Sequence, residues 1–200
     1  NIEPFRAGQF TKLGLDINGE IVGRPYSIVS APGDPFLEFY FSTVPEGPLS
    51  PRLSALKAGD AIQLAPKPNG FLVLDEVPPS IHLWLVSTGT GLGPFLSILN
   101  TPEPWQRFQR VVLVHAARTA DELTYRRAIA RIAEAEPKRF TYVPFLSRES
   151  ADYALAGRIP QAIADGRLEA RAGLGFDAAL AHVMLCGNPA MIEDALAALA

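Results

Sequence analysis

Ile81-His82-Leu83-Trp84-Leu85-Val86-Ser87-Thr88-Gly89-Thr90-Gly91-Leu92-Gly93-Pro94 passes from an apolar run, through alternating glycines, to a proline. The apolar part reads as a buried strand, and Pro94 to Leu99 as the helix that follows it. A glycine-rich turn between strand and helix lets backbone N–H groups approach an anion at the positive end of the helix. The turn lacks the Gly-Lys-Ser/Thr ending of a Walker loop and the spacing of Gly-x-Gly-x-x-Gly. On these residues alone, a tight turn without a ligand reads equally well. Outward from it, short apolar runs alternate with helical stretches. Val111–His115, Phe140–Phe145 and Val183–Leu185 are further strands, and 120–135, 160–165 and Pro189–Leu199 are helices. Continuous apolar strands alternating with helices predict an α/β doubly wound parallel sheet, with ligands beyond the carboxyl ends of its strands.

The residues before this block follow another pattern. Phe10–Leu15, Ile21–Val29 and Leu37–Thr43 are strand candidates, the third because Leu37, Phe39 and Phe41 alternate with Glu38, Tyr40 and Ser42. Asp16-Ile17-Asn18-Gly19 and Pro32-Gly33-Asp34-Pro35 are turn segments. A short helix is expected over 51–56, with Ser50 as its N-cap, followed by a strand over 61–65. Many short strands with one helix predict a small antiparallel β-barrel. The pattern changes near Val77-Pro78-Pro79-Ser80, which divides the chain into residues 1–79 and 80–200.

Composition narrows the chemistry. Among 200 residues, 48% are hydrophobic and 20% charged, enough apolar material for a core and against disorder. A single cysteine, Cys186, rules out a disulfide framework and cysteine-ligated clusters, and His82, His115 and His182 are too dispersed to suggest a metal site. Residues 1–80 carry six basic and nine acidic groups and the remainder twelve of each, without the basic stripe that nucleic acid needs. No signal peptide or bilayer-length apolar run is visible, so no membrane association and a cytoplasmic location are expected.

Polar residues gather beyond the strand ends of the second half. Arg118 follows His115-Ala116-Ala117, and Ser147-Arg148 and Arg158 follow the next strand. Three such arginines could clamp a phosphate monoester, each charged hydrogen bond contributing about 1.5–3 kcal/mol. Ordinary surface arginine is the plainer alternative. Cys186 precedes Gly187-Asn188-Pro189-Ala190 and reads as a small buried residue, since no neighbouring base or positive field would make it a thiolate. In the first half, Arg24-Pro25-Tyr26-Ser27 groups a guanidinium, an aromatic face and a hydroxyl that could hold a planar phosphorylated cofactor. An exposed arginine on a barrel strand fits equally.

Taken in order, Arg24-Pro25-Tyr26-Ser27, Gly47-Pro48-Leu49-Ser50, Gly89-Thr90-Gly91-Leu92-Gly93-Pro94 and Cys186-Gly187-Asn188-Pro189 resemble the motifs of the ferredoxin–NADP reductase family. The stretches Ala7–Leu15 and Val114–Arg118 are similar to its bacterial ferredoxin/flavodoxin–NADP reductases in particular. The resemblance implies an FAD-binding antiparallel barrel joined to an NADP-binding α/β domain. It implies that Arg24 contacts the FAD pyrophosphate, Tyr26 packs on the isoalloxazine and Ser27 acts as a catalytic residue near its reactive nitrogen. Pro25, Tyr40, Phe41, Ser42, Thr43, Pro48, Leu49 and Ser50 would line the rest of that site, and Thr90, between Gly89 and Gly91, would sit where the cofactors meet. Ala117, Arg118, Ser147, Arg148, Arg158, Asn188, Pro189, Ala190 and Asp194 match the NADP site, with Cys186 near the nicotinamide as a second catalytic candidate. No metal is implied. Family members begin with a further barrel strand and end in a C-terminal tail, neither of which this sequence shows, so cropping at both ends is expected.

The function implied is electron exchange between NADPH and ferredoxin or flavodoxin, carried out by a monomer. Arg107, Arg110, Arg126, Arg127 and Arg131 are candidates for a carrier-docking face, or form a solvated helix face. The alternatives are an NADH-using reductase module of an oxygenase or flavohaemoglobin system, and a non-catalytic nucleotide-binding regulatory subunit.

Overall fold

The computed structural model describes residues 2–200. Strands β1 (Phe10–Ile17) and β2 (Glu20–Ser27) form an antiparallel hairpin, paired from Phe10 with Ser27 to Ile17 with Glu20. Its two-residue turn, Asn18-Gly19, has φ of 57° and 86°, the double positive φ that matches the right-handed twist of the strands. After helix α1 (Ser50–Ser54), the short β3 (Gln63–Leu64) pairs with the other edge of β1, giving a sheet ordered β2-β1-β3.

The second half contains strands β4 (His82–Thr88), β5 (Arg110–Ala117), β6 (Phe140–Leu146), β7 (Leu155–Ala156) and β8 (Ala181–Cys186). All pair in parallel, in the order β7-β6-β5-β4-β8. Helices α2 (Leu92–Leu99), α3 (Glu103–Arg107), α4 (Arg126–Ala135), α5 (Ile159–Ala164) and α6 (Arg167–Ala172) lie between them, and α7 (Pro189–Leu199) follows β8. Successive side chains of a strand point to opposite faces. Leu83 and Leu85 of β4, with Val111 and Leu113 of β5, therefore enter one core together with residues of α2 and α4. Trp84, Val86, Val112 and Val114 enter the other, against α5, α6 and α7.

All eight residues of α2 are buried, because the Val29–Ala31 segment covers the side away from the sheet. Ser97 Oγ donates to the Ser30 carbonyl at 2.7 Å, and Val29 belongs to the same core cluster. The β-rich half is thereby fastened to the helix that opens at the glycine turn.

Several expectations need correction. Segment 37–43 forms no strand, only an isolated bridge between Ile28 and Phe39. Its hydrogen bonds end with Val29 N–H to the Glu38 carbonyl and Glu38 N–H to Ser30 Oγ, while Tyr40 and Phe41 turn to separate aromatic partners. The 120–135 helix is broken: a 3-10 turn at Ala120–Glu122 is separated from α4 by residues 123–125, the last of them Tyr125 with a φ of 58°. Ser50 does not cap α1, since it is the first helical residue and its Oγ accepts from Val44 N–H. The 61–65 strand shrinks to β3, and α3, α6 and β7 have no counterpart in the sequence reading.

Candidate functional site

The chain runs from β4 outward through β5 and β6 to β7, then returns to lay β8 on the other side of β4. The direction of winding reverses between β4 and β8, where a doubly wound sheet opens a crevice at its carboxyl edge. Two glycines shape it. A Cβ on Gly91 would stand 2.5 Å from the Cys186 carbonyl oxygen, and one on Gly187 (φ 138°) would stand 2.1 Å from Thr88 Oγ1. The two turns approach backbone to backbone only because both positions lack side chains. Asn188 N–H donates to Thr88 Oγ1, and Asn188 Oδ1 accepts from Ala190 N–H, capping α7. Asn188 thus spends its side-chain oxygen on the helix start, and its side-chain nitrogen has no partner among the described residues.

His115 supports this turn from behind. It is fully buried, its Nε2–H donates to the Gly89 carbonyl at 3.2 Å, and burial pulls its pKa down to about 4. Sequence reasoning passed over it, as over Thr88, because both act through backbone positions that only the folded turn defines. Cys186 stands against Gly91 through its carbonyl, and burial pushes its thiol pKa up and keeps it protonated.

The sheet brings the expected anion-binding loops together along the same edge. Ser147 N–H donates to the Ala117 carbonyl and Arg148 N–H to the Arg118 carbonyl, so the loops after β5 and β6 are laced together. Arg118, Arg148 and Arg158 are exposed, and no hydrogen bond or ion pair engages their guanidinium groups among the described residues. Asp194 stands on the exposed face of α7, likewise without a partner among the described residues. By contrast, Arg107 donates to the Leu74 and Val77 carbonyls, Arg110 to Thr141 and the Ala172 carbonyl, and Arg126 to the Leu123 and Ala120 carbonyls and Tyr153. Those three belong to the scaffold, so the suggested docking face loses most of its members.

The end of β2 faces the start of α2. A Cβ on Gly93 would lie 3.9 Å from Ser27 Cβ, so Ser27 sits one van der Waals contact from the glycine turn. Arg24 is exposed and donates only to the Gly23 carbonyl, while Tyr26 is half-buried with its ring edge-on to Phe41 at 5.6 Å between centroids. Burial raises the Tyr26 pKa, against an opposing pull from Arg24, so its hydroxyl stays neutral. Thr43 Oγ1 and Ser54 Oγ are 2.5 Å apart, and Ser50 ties the Val44 loop to α1. Tyr40 leaves this group: its ring packs edge-on to Tyr125 at 5.4 Å.

The residues present therefore suit two ligands. A half-buried aromatic ring, an exposed guanidinium and a hydroxyl fit a flavin nucleotide at β2, and a crevice narrowed to backbone at Gly91 and Gly187, with three unpaired arginines along its edge, fits a phosphorylated dinucleotide. Residues 85–196 match the family model for the oxidoreductase NAD-binding domain. The chain is 50% identical to the flavodoxin/ferredoxin–NADP reductase of Escherichia coli (strain K12) over 191 residues, covering 96% of this chain and 77% of the relative.

The chain belongs to the flavodoxin/ferredoxin–NADP reductase family.

A further family member, the ferredoxin–NADP reductase of Pseudomonas aeruginosa, is 37% identical over 203 residues, 98% of this chain and 78% of that protein. Among solved structures, the ferredoxin NADP+ reductase from Neisseria gonorrhoeae with bound FAD and NADP superposes with a TM-score of 0.93 at 34% identity, covering 98% of this chain and 79% of that one. The antiparallel sheet joined to a five-stranded parallel sheet is the two-domain architecture of this family.

Proposed function

We propose that the chain is an FAD-dependent oxidoreductase that exchanges electrons between NADPH and ferredoxin or flavodoxin. The carrying observation is the meeting of Ser27, the Gly89–Gly93 turn and Cys186 at the point where the sheet reverses its winding. One ligand seated on Tyr26 and another in the crevice would meet there. Residues 1–79 would serve the flavin and 80–200 the pyridine nucleotide.

When bound, FAD would supply the chemistry of coupling a two-electron hydride donor to a one-electron carrier. The protein's part is binding and orientation. Arg24 offers its free N–H donors to the pyrophosphate, Pro25 and Tyr26 present an apolar wall, and Ser27 offers a hydroxyl to the ring edge. Phe41, Ser42, Thr43, Pro48, Leu49 and Ser50 continue this wall toward α1, with Tyr40 bracing it from behind. Gly89, Thr90 and Gly91 shape the nicotinamide seat, and the protonated Cys186 packs there without acting as a nucleophile. Ala117, Arg118, Ser147, Arg148 and Arg158 receive the adenosine and its 2′-phosphate, and Asn188, Pro189, Ala190 and Asp194 close the opposite side. Hydride transfer needs no general base, so holding the two rings in register is the main demand. The proposal places the enzyme in the cytoplasm as a monomer, with both substrates diffusible. Among the described residues, no helix is long and apolar enough to cross a membrane.

Steady-state reduction of ferredoxin and of flavodoxin with NADPH or NADH tests this reading. Turnover of at least one carrier with NADPH preferred over NADH is expected. Absence of turnover with either carrier contradicts it.

A further inference from the structure

Among the described residues, two non-glycine residues have left-handed backbone, Asn18 in the hairpin turn and Tyr125. Asparagine tolerates this region well, whereas a bulky aromatic residue does so only when its surroundings hold it there. Tyr125 interrupts what would otherwise be one helix from the 3-10 turn into α4. The interruption sends its side chain across to the β-rich half. Its hydroxyl donates to Glu38 Oε1 at 2.7 Å, from a position 87 residues away, and its ring meets Tyr40 edge-on at 5.4 Å. Burial and the neighbouring Glu38 carboxylate raise its pKa far above the ordinary value, so the donor proton is kept.

Segment 37–43 joins no ladder beyond the Ile28–Phe39 bridge. Its other described hydrogen bonds run from Val29 N–H to the Glu38 carbonyl, from Glu38 N–H to Ser30 Oγ, and between the Thr43 and Ser54 hydroxyls. Yet Phe41 from this segment packs on Tyr26, and Phe41 to Thr43 line the proposed flavin site with Tyr40 behind them. At its other end, Tyr125 adjoins the 3-10 turn whose Glu122 accepts from Arg118 N–H at the proposed phosphate clamp. We propose that Tyr125 is a positioning residue, its strained backbone and its paired contacts with Glu38 and Tyr40 latching the flavin-lining segment to the nucleotide-binding half. The latch fixes the registration of the two ring seats, and its catalytic consequence rests on the function proposed above.

Hydrogen–deuterium exchange of the chain without added cofactor, followed by rapid mixing of the FAD-loaded enzyme with NADPH, tests the latch. Tyr125→Phe keeps the ring and removes the hydroxyl, whereas Glu38→Gln keeps an acceptor oxygen. In Tyr125→Phe, amides of residues 37–43 are expected to exchange about tenfold faster, the scale of one hydrogen bond to a charged acceptor, with β4 and β5 unchanged. Glu38→Gln should stay within about twofold of the wild type, as a retained neutral hydrogen bond implies. In the loaded enzyme, Tyr125→Phe should retain FAD and its KM for NADPH while flavin reduction slows about tenfold, as a lost orienting contact implies. Unchanged exchange in 37–43, exchange rising uniformly along the chain, or an unaltered rate of flavin reduction would each overturn the latch. A wild-type chain that holds no flavin would overturn the functional reading instead, and the exchange data would still judge the contact itself.

Discussion

At the carboxyl end of β5, the buried His115 is bonded only through Nε2, and its Nδ1 has no partner among the described residues. Its pKa of about 4 lies below the unfolded value of 6.5, so the unfolded chain binds the extra proton more readily between those values. The stability contributed by the neutral ring is complete above pH 6.5 and is lost as pH falls toward 4, by about 3 kcal/mol. Melting temperatures of the wild type and His115→Gln from pH 7.5 to 4 check this. The wild type should lose more stability through that window, and parallel curves would contradict the assignment. The crevice glycines are equally demanding. Gly187→Ala must push a methyl group into Thr88 Oγ1 from a backbone with φ of 138°. A loss of about 1–3 kcal/mol is expected by chemical denaturation, together with weakened NADPH binding by titration.

Between residue and molecule stand the loops and helix starts. The Asn188 cap of α7 is the one side-chain cap among the described helices of eight or more residues, so Asn188→Ala should cost about 1 kcal/mol in chemical denaturation. The loops after β5 and β6 carry the unpaired arginines to which the proposed function assigns nucleotide specificity. Arg148→Glu should weaken NADPH by about tenfold or more while sparing NADH, measured by comparing KM values, because only the former bears the extra phosphate. Equal loss for both would reject the role. Elements stabilised by their own pattern were legible in the sequence: the apolar runs of β4, β5 and β6 and the Pro189 start of α7. Elements shaped by distant partners were not. The alternation of Leu37 to Ser42 announces a strand, but Tyr40 and Phe41 are claimed by Tyr125 and Tyr26, which lie elsewhere in the chain. The periodic stretch through Tyr125 announces an unbroken helix, yet the helix is interrupted just where Tyr125 reaches Glu38, 87 residues away. Helix α6 is short, flanked by Gly166 and Gly173 in left-handed backbone, and gives a periodicity reading too few turns to register.

At the scale of the molecule, the return of β8 to the far side of β4 turns scattered motifs into one place. The sequence named the residues of that place through four motifs in order, while pattern alone left each motif open to an ordinary structural reading. Only the folded topology shows that Ser27 adjoins Gly93 and Cys186 adjoins Gly91, bringing distant parts of the chain to one turn. It also shows that the basic face expected for a carrier is largely occupied by internal bonds of Arg107, Arg110 and Arg126. The account depends on these two seats holding a flavin and a pyridine nucleotide in mutual reach. The most direct measurement is the visible spectrum of the chain reconstituted with FAD and desalted, recorded before and after anaerobic addition of NADPH. Retained flavin absorption that bleaches on mixing is the predicted result; flavin lost on desalting, or flavin retained and left oxidised by NADPH, would contradict it.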